Sequence, residues 1–253
     1  MRLTVVGCSG SFPGPDSPAS SYLVEADAGG RTWRILLDLG SGALGRLQAV
    51  TDPLAVDAVF LSHLHPDHWF DMSGYYVLRK YHPAGPQPRI PVYGPNGTAE
   101  QMARSYGLPE NPGMSEEFDV RRYDGDGPVT VGPFTVEVTR VKHPVEAYAI
   151  KVSEGRRSLV YSGDTGFCEA LVELARDTDL LLAEASFREG DDNPPDLHMT
   201  GREAAETAVR AGARRLVLTH VPPWHERESA LAEAVPVYDG PLELARCGAT
   251  YHL

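Results

Sequence analysis

What this 253-residue sequence lacks narrows its class before any motif is read. It holds only 3 cysteines, Cys8, Cys168 and Cys247, an odd and scattered set without Cys-x-x-Cys spacing. Neither a disulfide framework nor a thiolate metal cage is expected, and the three read as buried small hydrophobes. Long apolar runs are missing too: stretches such as 180–183 are far too short to cross a bilayer, which predicts a soluble chain with no membrane partner. The opening Met1-Arg2-Leu3-Thr4-Val5-Val6-Gly7 has neither the basic segment nor the long apolar stretch of a secretory leader, so the cytoplasm is the default location. Positive charge is scarce. Against 35 Asp and Glu stand 23 Lys and Arg, a formal net charge of −12, whereas proteins that grip nucleic acid through its phosphates usually present a basic surface. A nucleic-acid partner is therefore disfavoured. No linker and no internal repeat interrupt the chain, whose length suits one α/β domain over 1–253. The oligomeric state is left open, a homodimer included.

What is present is an alternation of β-rich and helical runs. The pattern predicts strands over 3–7, 21–25, 33–38, 58–62, 90–93, 134–141, 147–152, 158–161, 180–184, 216–219 and 243–246. It predicts helices over 43–48, 72–81, 97–106, 168–175, 201–211 and 228–234. Proline and glycine clusters at 12–17, 83–88 and 191–195 read as surface loops.

The chemistry starts where the apolar run 58–62 ends, in His63-Leu64-His65-Pro66-Asp67-His68. A lone histidine in such a place is usually an ordinary turn residue. Three imidazoles and a carboxylate within six positions instead supply the nitrogen and oxygen ligands that zinc, manganese and iron accept. Further candidates stand at the ends of other predicted strands: His143 after 134–141, Asp164 in Ser162-Gly163-Asp164-Thr165-Gly166, and His220 after 216–219. Asp38, in Asp38-Leu39-Gly40, is either a turn aspartate or a carboxylate that orients a ligand histidine.

Taken in order, His63-x-His65-x-Asp67-His68, His143, Asp164 and His220 resemble the ligand pattern of the metallo-β-lactamase superfamily. The opening 6–11 and the segment 37–42 resemble that family's first hairpin, so the likeness covers essentially the whole chain. The resemblance implies an α/β fold, a four-layer αββα sandwich with the site at one edge of two sheets. It also implies two divalent metal ions, zinc being the first expectation and manganese or iron(II) equally suited to the ligand set. His63, His65 and His143 would hold one ion, Asp67, His68 and His220 the other, and Asp164 would bridge them. Lactamases with a cysteine ligand carry it where Asp164 stands, which argues against β-lactam hydrolysis of that kind.

Leu182-Ala183-Glu184-Ala185-Ser186-Phe187 and Leu197-His198-Met199-Thr200 narrow the resemblance to the ribonuclease Z and cyclic-nucleotide phosphodiesterase branch. There, Asp67 would orient the attacking water. His198, held by Glu184, would stabilise the pentacoordinate phosphorus or protonate the departing 3′ oxygen. The segments 7–20 and 220–224 look closest to actinobacterial cyclic-AMP phosphodiesterases of this fold, and a small nucleotide is the expected substrate. The interval from His143 to Asp164 has room for two strands and a turn, and none for the tRNA-gripping arm of ribonuclease Z. A ribonuclease Z-like tRNA 3′ endonuclease, a lactonase or thioesterase on the same fold, and a metal-binding protein without catalysis are the alternatives. His82, His225 and His252 match nothing in the pattern and read as surface or structural residues.

Overall fold

The computed structural model describes residues 1–123 and 127–253. Its strands form two mixed sheets of seven. The first is built from β1 (Arg2–Gly7), β2 (Ser21–Ala28), β3 (Arg31–Leu37), β4 (Ala58–Phe60), β5 (Ile90–Gly94), β6 (Phe118–Arg122) and the C-terminal β14 (Thr250–His252), in the order β14-β1-β2-β3-β4-β5-β6. The second contains β7 (Val129–Val131), β8 (Phe134–Arg140), β9 (Tyr148–Glu154), β10 (Arg157–Tyr161), β11 (Leu180–Glu184), β12 (Leu216–Thr219) and β13 (Leu242–Leu244), in sequence order across the sheet.

Period-two side-chain alternation explains how these sheets stack. Along β3, Ile35 and Leu37 point into a core shared by both sheets, while Leu36 joins a separate cluster with α1 (Ala43–Leu47) and α3 (Met72–Lys80). Along β11, Leu180 and Leu182 enter the shared core, whereas Leu181 and Ala183 pack against α5 (Glu169–Leu174) and α6 (Gly201–Ala211). Three apolar clusters thus separate four layers, helix, sheet, sheet, helix, which is the expected αββα sandwich. A capping box at Thr200 and Glu203 starts α6, and Gly212 in the left-handed conformation ends it. No helix among the described residues is long and apolar enough to cross a membrane.

The structure departs from the sequence reading at the sheet margins. Strands β6, β7 and β14 were not foreseen, and β13 lies at Leu242–Leu244 instead of 243–246. All four are edge strands. Three of them are only three residues long, too short to show a period, and the fourth, Phe118-Asp119-Val120-Arg121-Arg122, carries charge that discourages pairing with other chains. Two short helical turns were not foreseen, a 3-10 turn at Pro53–Ala55 and α2 (Pro66–Trp69) in the expected metal loop, whereas α4 (Thr98–Ser105) and α7 (Arg227–Ala234) lie within the ranges foreseen for them or one residue beyond. Cys8 and Cys168 are buried as expected, but Cys247 is only partly so.

Strands β3–β6 run parallel, as do β10–β13, so their C-terminal ends gather at one edge of the sandwich. Loops there pack backbone against backbone. Leu39 N–H donates to the carbonyl of His68 (2.8 Å), and Asp71 N–H returns a bond to the carbonyl of Leu39 (3.2 Å). Gly40 makes this approach possible, since a β-carbon there would lie 1.9 Å from the carbonyl oxygen of Asp67. Gly40→Ala is therefore expected to lower both the thermal midpoint and the metal content, because no rotamer change relieves a backbone clash. Gly45→Ala, in exposed helix with nothing within 4 Å, is the control and is expected to hold or raise the midpoint. Equal behaviour of the two variants in calorimetry and elemental analysis would show that this contact is unimportant.

Candidate metal centre

Each ligand candidate sits just past a strand or on the first turn that follows one. His63 and His65 follow β4, and Pro66 at the first helical position of α2 launches the turn that presents Asp67 and His68. His143 lies between β8 and β9, Asp164 beyond β10, and His220 directly after β12. The fold brings all seven together, in two groups that share Asp164.

In the first group, His65 Nδ1 lies 3.1 Å from both His63 Nε2 and His143 Nε2, and Asp164 Oδ2 is 3.6 Å from His63 Nε2. In the second, His220 Nε2 is 3.1 Å from His68 Nε2 and 3.1 Å from Asp67 Oδ2. Asp164 Oδ2 is 3.3 Å from His68 Nε2, and Asp164 Oδ1 is 3.4 Å from His220 Nε2. Tetrahedral zinc with bonds of about 2.0–2.1 Å places neighbouring ligand atoms about 3.3–3.4 Å apart, close to these spacings.

Hydrogen bonds on the far side of each ring decide which nitrogen keeps a lone pair. His68 Nδ1 donates to Asp38 Oδ2 (2.7 Å), and His143 Nδ1 donates to the Leu197 carbonyl (2.9 Å), because neither acceptor can supply a proton. Ser186 Oγ gives its proton to the His220 carbonyl and so accepts from His220 Nδ1 (2.8 Å). Ser62 Oγ donates to Asp38 and accepts from His63 Nδ1 (3.1 Å). Four rings are thereby left with Nε2 free for a metal, the arrangement that orients ligating histidines and raises their basicity. Asp38 is thus no mere turn residue. It accepts from Ser62 N–H (2.7 Å), His68 and Tyr161 O–H (2.8 Å), entirely buried, with a left-handed φ of 59°. His220 has the same φ of 59°. Such strained conformations persist where surrounding contacts over-determine them.

The electrostatics call for cations. Asp38, Asp67 and Asp164 are all buried, and among the described residues their ion-pair partners are histidines only. Burial opposes ionisation of Asp164, but His220, His68 and His63 outweigh it and hold its carboxyl well below the usual range. Burial likewise lowers His63, His65 and His143, favouring the neutral imidazole that ligates. His68 goes the other way. Asp164, Asp67 and Asp38 overcome its burial and raise it well above the ordinary histidine value, marking a position where a positive charge is strongly favoured. Asp164 Oδ1 is buried without a hydrogen-bond partner, an otherwise costly state that a bridging role between two cations resolves. The residues fit two divalent ions.

His198 and Glu184 stand against the second group, the two forming a further cluster with His220. Glu184 is fully buried and rigidly held: Oε1 accepts from Thr165 N–H (2.9 Å) and from His198 Nδ1 (2.8 Å), and Oε2 from Ser186 N–H (3.1 Å). Burial disfavours the His198 imidazolium, but the charge and hydrogen bond of Glu184 outweigh this and push it up to about 9. The ring packs edge-on against Phe187, centroids 5.0 Å apart, and no described residue bonds its Nε2. Sequence reasoning gave no role to Ser62, Tyr161, Ser186 and Phe187, whose contacts with the histidines and Asp38 only the fold creates. His82, His225 and His252 lie outside all three ligand clusters.

Asp164→Ala is expected to reduce bound metal from two ions to one or none, read by elemental analysis; unchanged two-ion stoichiometry would reject the bridging assignment. Asp38→Ala leaves every direct ligand in place but frees the His68 ring, so a weaker effect is expected, about 10–100-fold in metal affinity by competition with a chelator.

A family model described as "Beta-lactamase superfamily domain" matches residues 33–221. The uncharacterized protein Rv1339 of Mycobacterium tuberculosis is 44% identical over 257 residues, covering 100% of this chain and 92% of the relative. Ribonuclease Z of Myxococcus xanthus is 30% identical and covers 100% of this chain and 98% of the relative. That alignment runs over 308 positions, more than the chain has residues, so the relative carries inserted segments absent here. Among solved structures, the metallo-β-lactamase fold protein YhfI of Bacillus subtilis superposes with a TM-score of 0.87 at 28% identity, covering 99% of this chain and 98% of that one. With ligands spaced for two ions and a likeness that spans both sheets, the chain belongs to the metallo-β-lactamase superfamily and is a metal-dependent hydrolase.

Proposed function

We propose that this hydrolase is a two-metal phosphodiesterase that opens a small cyclic nucleotide of the 3′,5′-cyclic AMP type to the nucleoside monophosphate. The observation that carries the reading is the His198–Glu184 pair, an imidazole held 2.8 Å from a buried carboxylate beside the ligand cluster, whose charge raises the imidazole's pKa. Divalent ions in the two ligand sets would polarise the phosphate and bring the pKa of a water down towards neutrality. Asp67, lowered below the ordinary carboxylate range by the neighbouring histidines although burial opposes it, accepts hydrogen bonds only and is placed to orient the attacking water. His198 holds the proton that the departing 3′ oxygen requires, and Glu184 keeps the ring aligned for its transfer.

The size of the substrate is argued from the interval between His143 and Asp164. Strands β9 and β10 pair directly there, Glu154 opposite Arg157, through the two-residue turn Gly155-Arg156 with Gly155 at a φ of 60°. Nothing protrudes to grip a long RNA, and the formal charge of −12 disfavours one further. The segments 7–20 and 220–224, which resemble actinobacterial cyclic-AMP phosphodiesterases, are the reason for naming the nucleotide.

Metal-loaded protein incubated with cyclic mononucleotides, dinucleotides, precursor tRNA and a simple lactone, with products identified by mass, tests the reading. Opening of a cyclic mononucleotide is expected. Efficient 3′ processing of precursor tRNA, or lactone opening, with no cyclic nucleotide turned over would overturn it. His198→Ala is expected to lower kcat by about 10²–10⁴-fold with metal content unchanged, the range of one lost general acid. Parallel loss of metal would make His198 a structural or metal-holding residue.

A further inference from the structure

The loop that follows His220 and the loop 9–14 packed on it carry an aromatic pair that the proposed chemistry does not use. Trp224 is 62% exposed, and no large apolar side chain among the described residues is more so; Phe12 is 43% exposed. Their rings meet with centroids 5.1 Å apart and planes at 42°. Neither contributes to the three apolar clusters that hold the layers together, so folding gives no account of them.

Their mounting is rigid and tied to a ligand. His220 N–H donates to the carbonyl of Cys8 (3.1 Å), and Gly10 N–H to that of Val221 (3.2 Å). Gly10 approaches so closely that a β-carbon there would lie 2.2 Å from the His220 carbonyl oxygen. Ser9 Oγ donates to the carbonyl of Phe12 (2.8 Å), fixing that ring's backbone, while Gly14 rests on Pro223. Trp224 is four residues beyond His220, so their α-carbons lie within about 15 Å even at full extension. The turn closed by His225 N–H on the Pro222 carbonyl (3.0 Å) shortens this further. A planar group attached to a phosphate at the metals falls within that reach. Exposed aromatic faces within chain reach of a ligand residue are suited to a flat ligand, and base stacking on such faces is sequence-tolerant because every base presents a π-face.

We propose that Phe12 and Trp224 form the stacking platform for the nucleobase, which makes them base-binding residues of the site; this rests on the nucleotide reading above. The ligand class is a purine or pyrimidine nucleoside phosphate, recognised by phosphate at the ligand clusters and by base at the aromatic pair.

Metal-loaded wild type, Trp224→Ala, Trp224→Phe and Phe12→Ala are titrated calorimetrically with 5′-AMP and with ribose 5-phosphate, which lacks the base. Trp224→Ala is expected to weaken 5′-AMP on the order of 5- to 100-fold, the contribution of one stacked base, with Trp224→Phe restoring most of the affinity. Ribose 5-phosphate should bind all four proteins alike, and the KM for 3′,5′-cyclic AMP should respond to Trp224→Ala more than kcat. Equal 5′-AMP affinity in wild type and Trp224→Ala, no saturable 5′-AMP binding, or equal losses for both ligands would overturn the platform. Base-dependent loss of 5′-AMP binding without cyclic AMP hydrolysis would refute the proposed reaction and leave the platform standing. Cyclic AMP hydrolysis with KM unchanged in both alanine variants would do the reverse.

Discussion

Three carboxylates, those of Asp38, Asp67 and Asp164, lie buried at one edge of the sandwich with imidazoles as their only ion-pair partners among the described residues. A buried charge is tolerated only when it is paired and hydrogen-bonded. Everything else at this edge answers that constraint. Asp38 is satisfied inside the protein by Ser62, His68 and Tyr161, but Asp164 keeps an unpartnered oxygen. The negative charge left over is what bound divalent cations would neutralise, so metal binding and the integrity of this edge are expected to be aspects of one balance.

The arrangement needs both sheets. Asp38, His63, Asp67 and His68 come from loops of the first sheet, whereas His143, Asp164, Glu184 and His220 belong to the second. Tyr161, reaching from β10 to Asp38, links the halves directly, and Tyr22 does so again through the hydroxyl of Thr219 (2.7 Å). The centre therefore forms only when the sheets dock. Left-handed backbone at Asp38 and His220 is affordable because hydrogen bonds from the opposite sheet or neighbouring loop hold each in place.

Charge is divided between scales. The chain as a whole is acidic, yet the ligand clusters occupied by divalent ions would present a local positive field, beside which Glu184 favours a positive charge on His198. A compact phosphate fits such a field, while an extended polyanion would meet an acidic surface outside it. On the proposed reading the same division separates reaction from recognition: phosphate chemistry would belong to the buried ligands, and the exposed pair of Trp224, on the loop that follows His220, and Phe12 would offer contact to the rest of a substrate.

Much of this was legible in the sequence because metal chemistry is written in residue type. Three imidazoles and a carboxylate within 63–68, followed by His143, Asp164 and His220 at strand ends, specify a nitrogen-and-oxygen ligand set whatever the packing, and the alternation in runs such as 180–184 specifies two-faced strands. The edge strands β7, β13 and β14 escaped or shifted because three residues are too few to show a period, and β6 because Asp119, Arg121 and Arg122 crowd its apolar positions. Tertiary structure alone decided how the ligands are aimed. Which ring nitrogen faces the metal site depends on Ser62, Ser186, Asp38 and the Leu197 carbonyl, partners separated from their histidines by 1, 34, 30 and 54 positions; all but the first are brought close by the folding of each sheet and its loops. Ligand identity is thus a property of the chain, whereas ligand orientation, the protonation of His198 and the meeting of Phe12 with Trp224 are properties of distances that only the folded molecule sets.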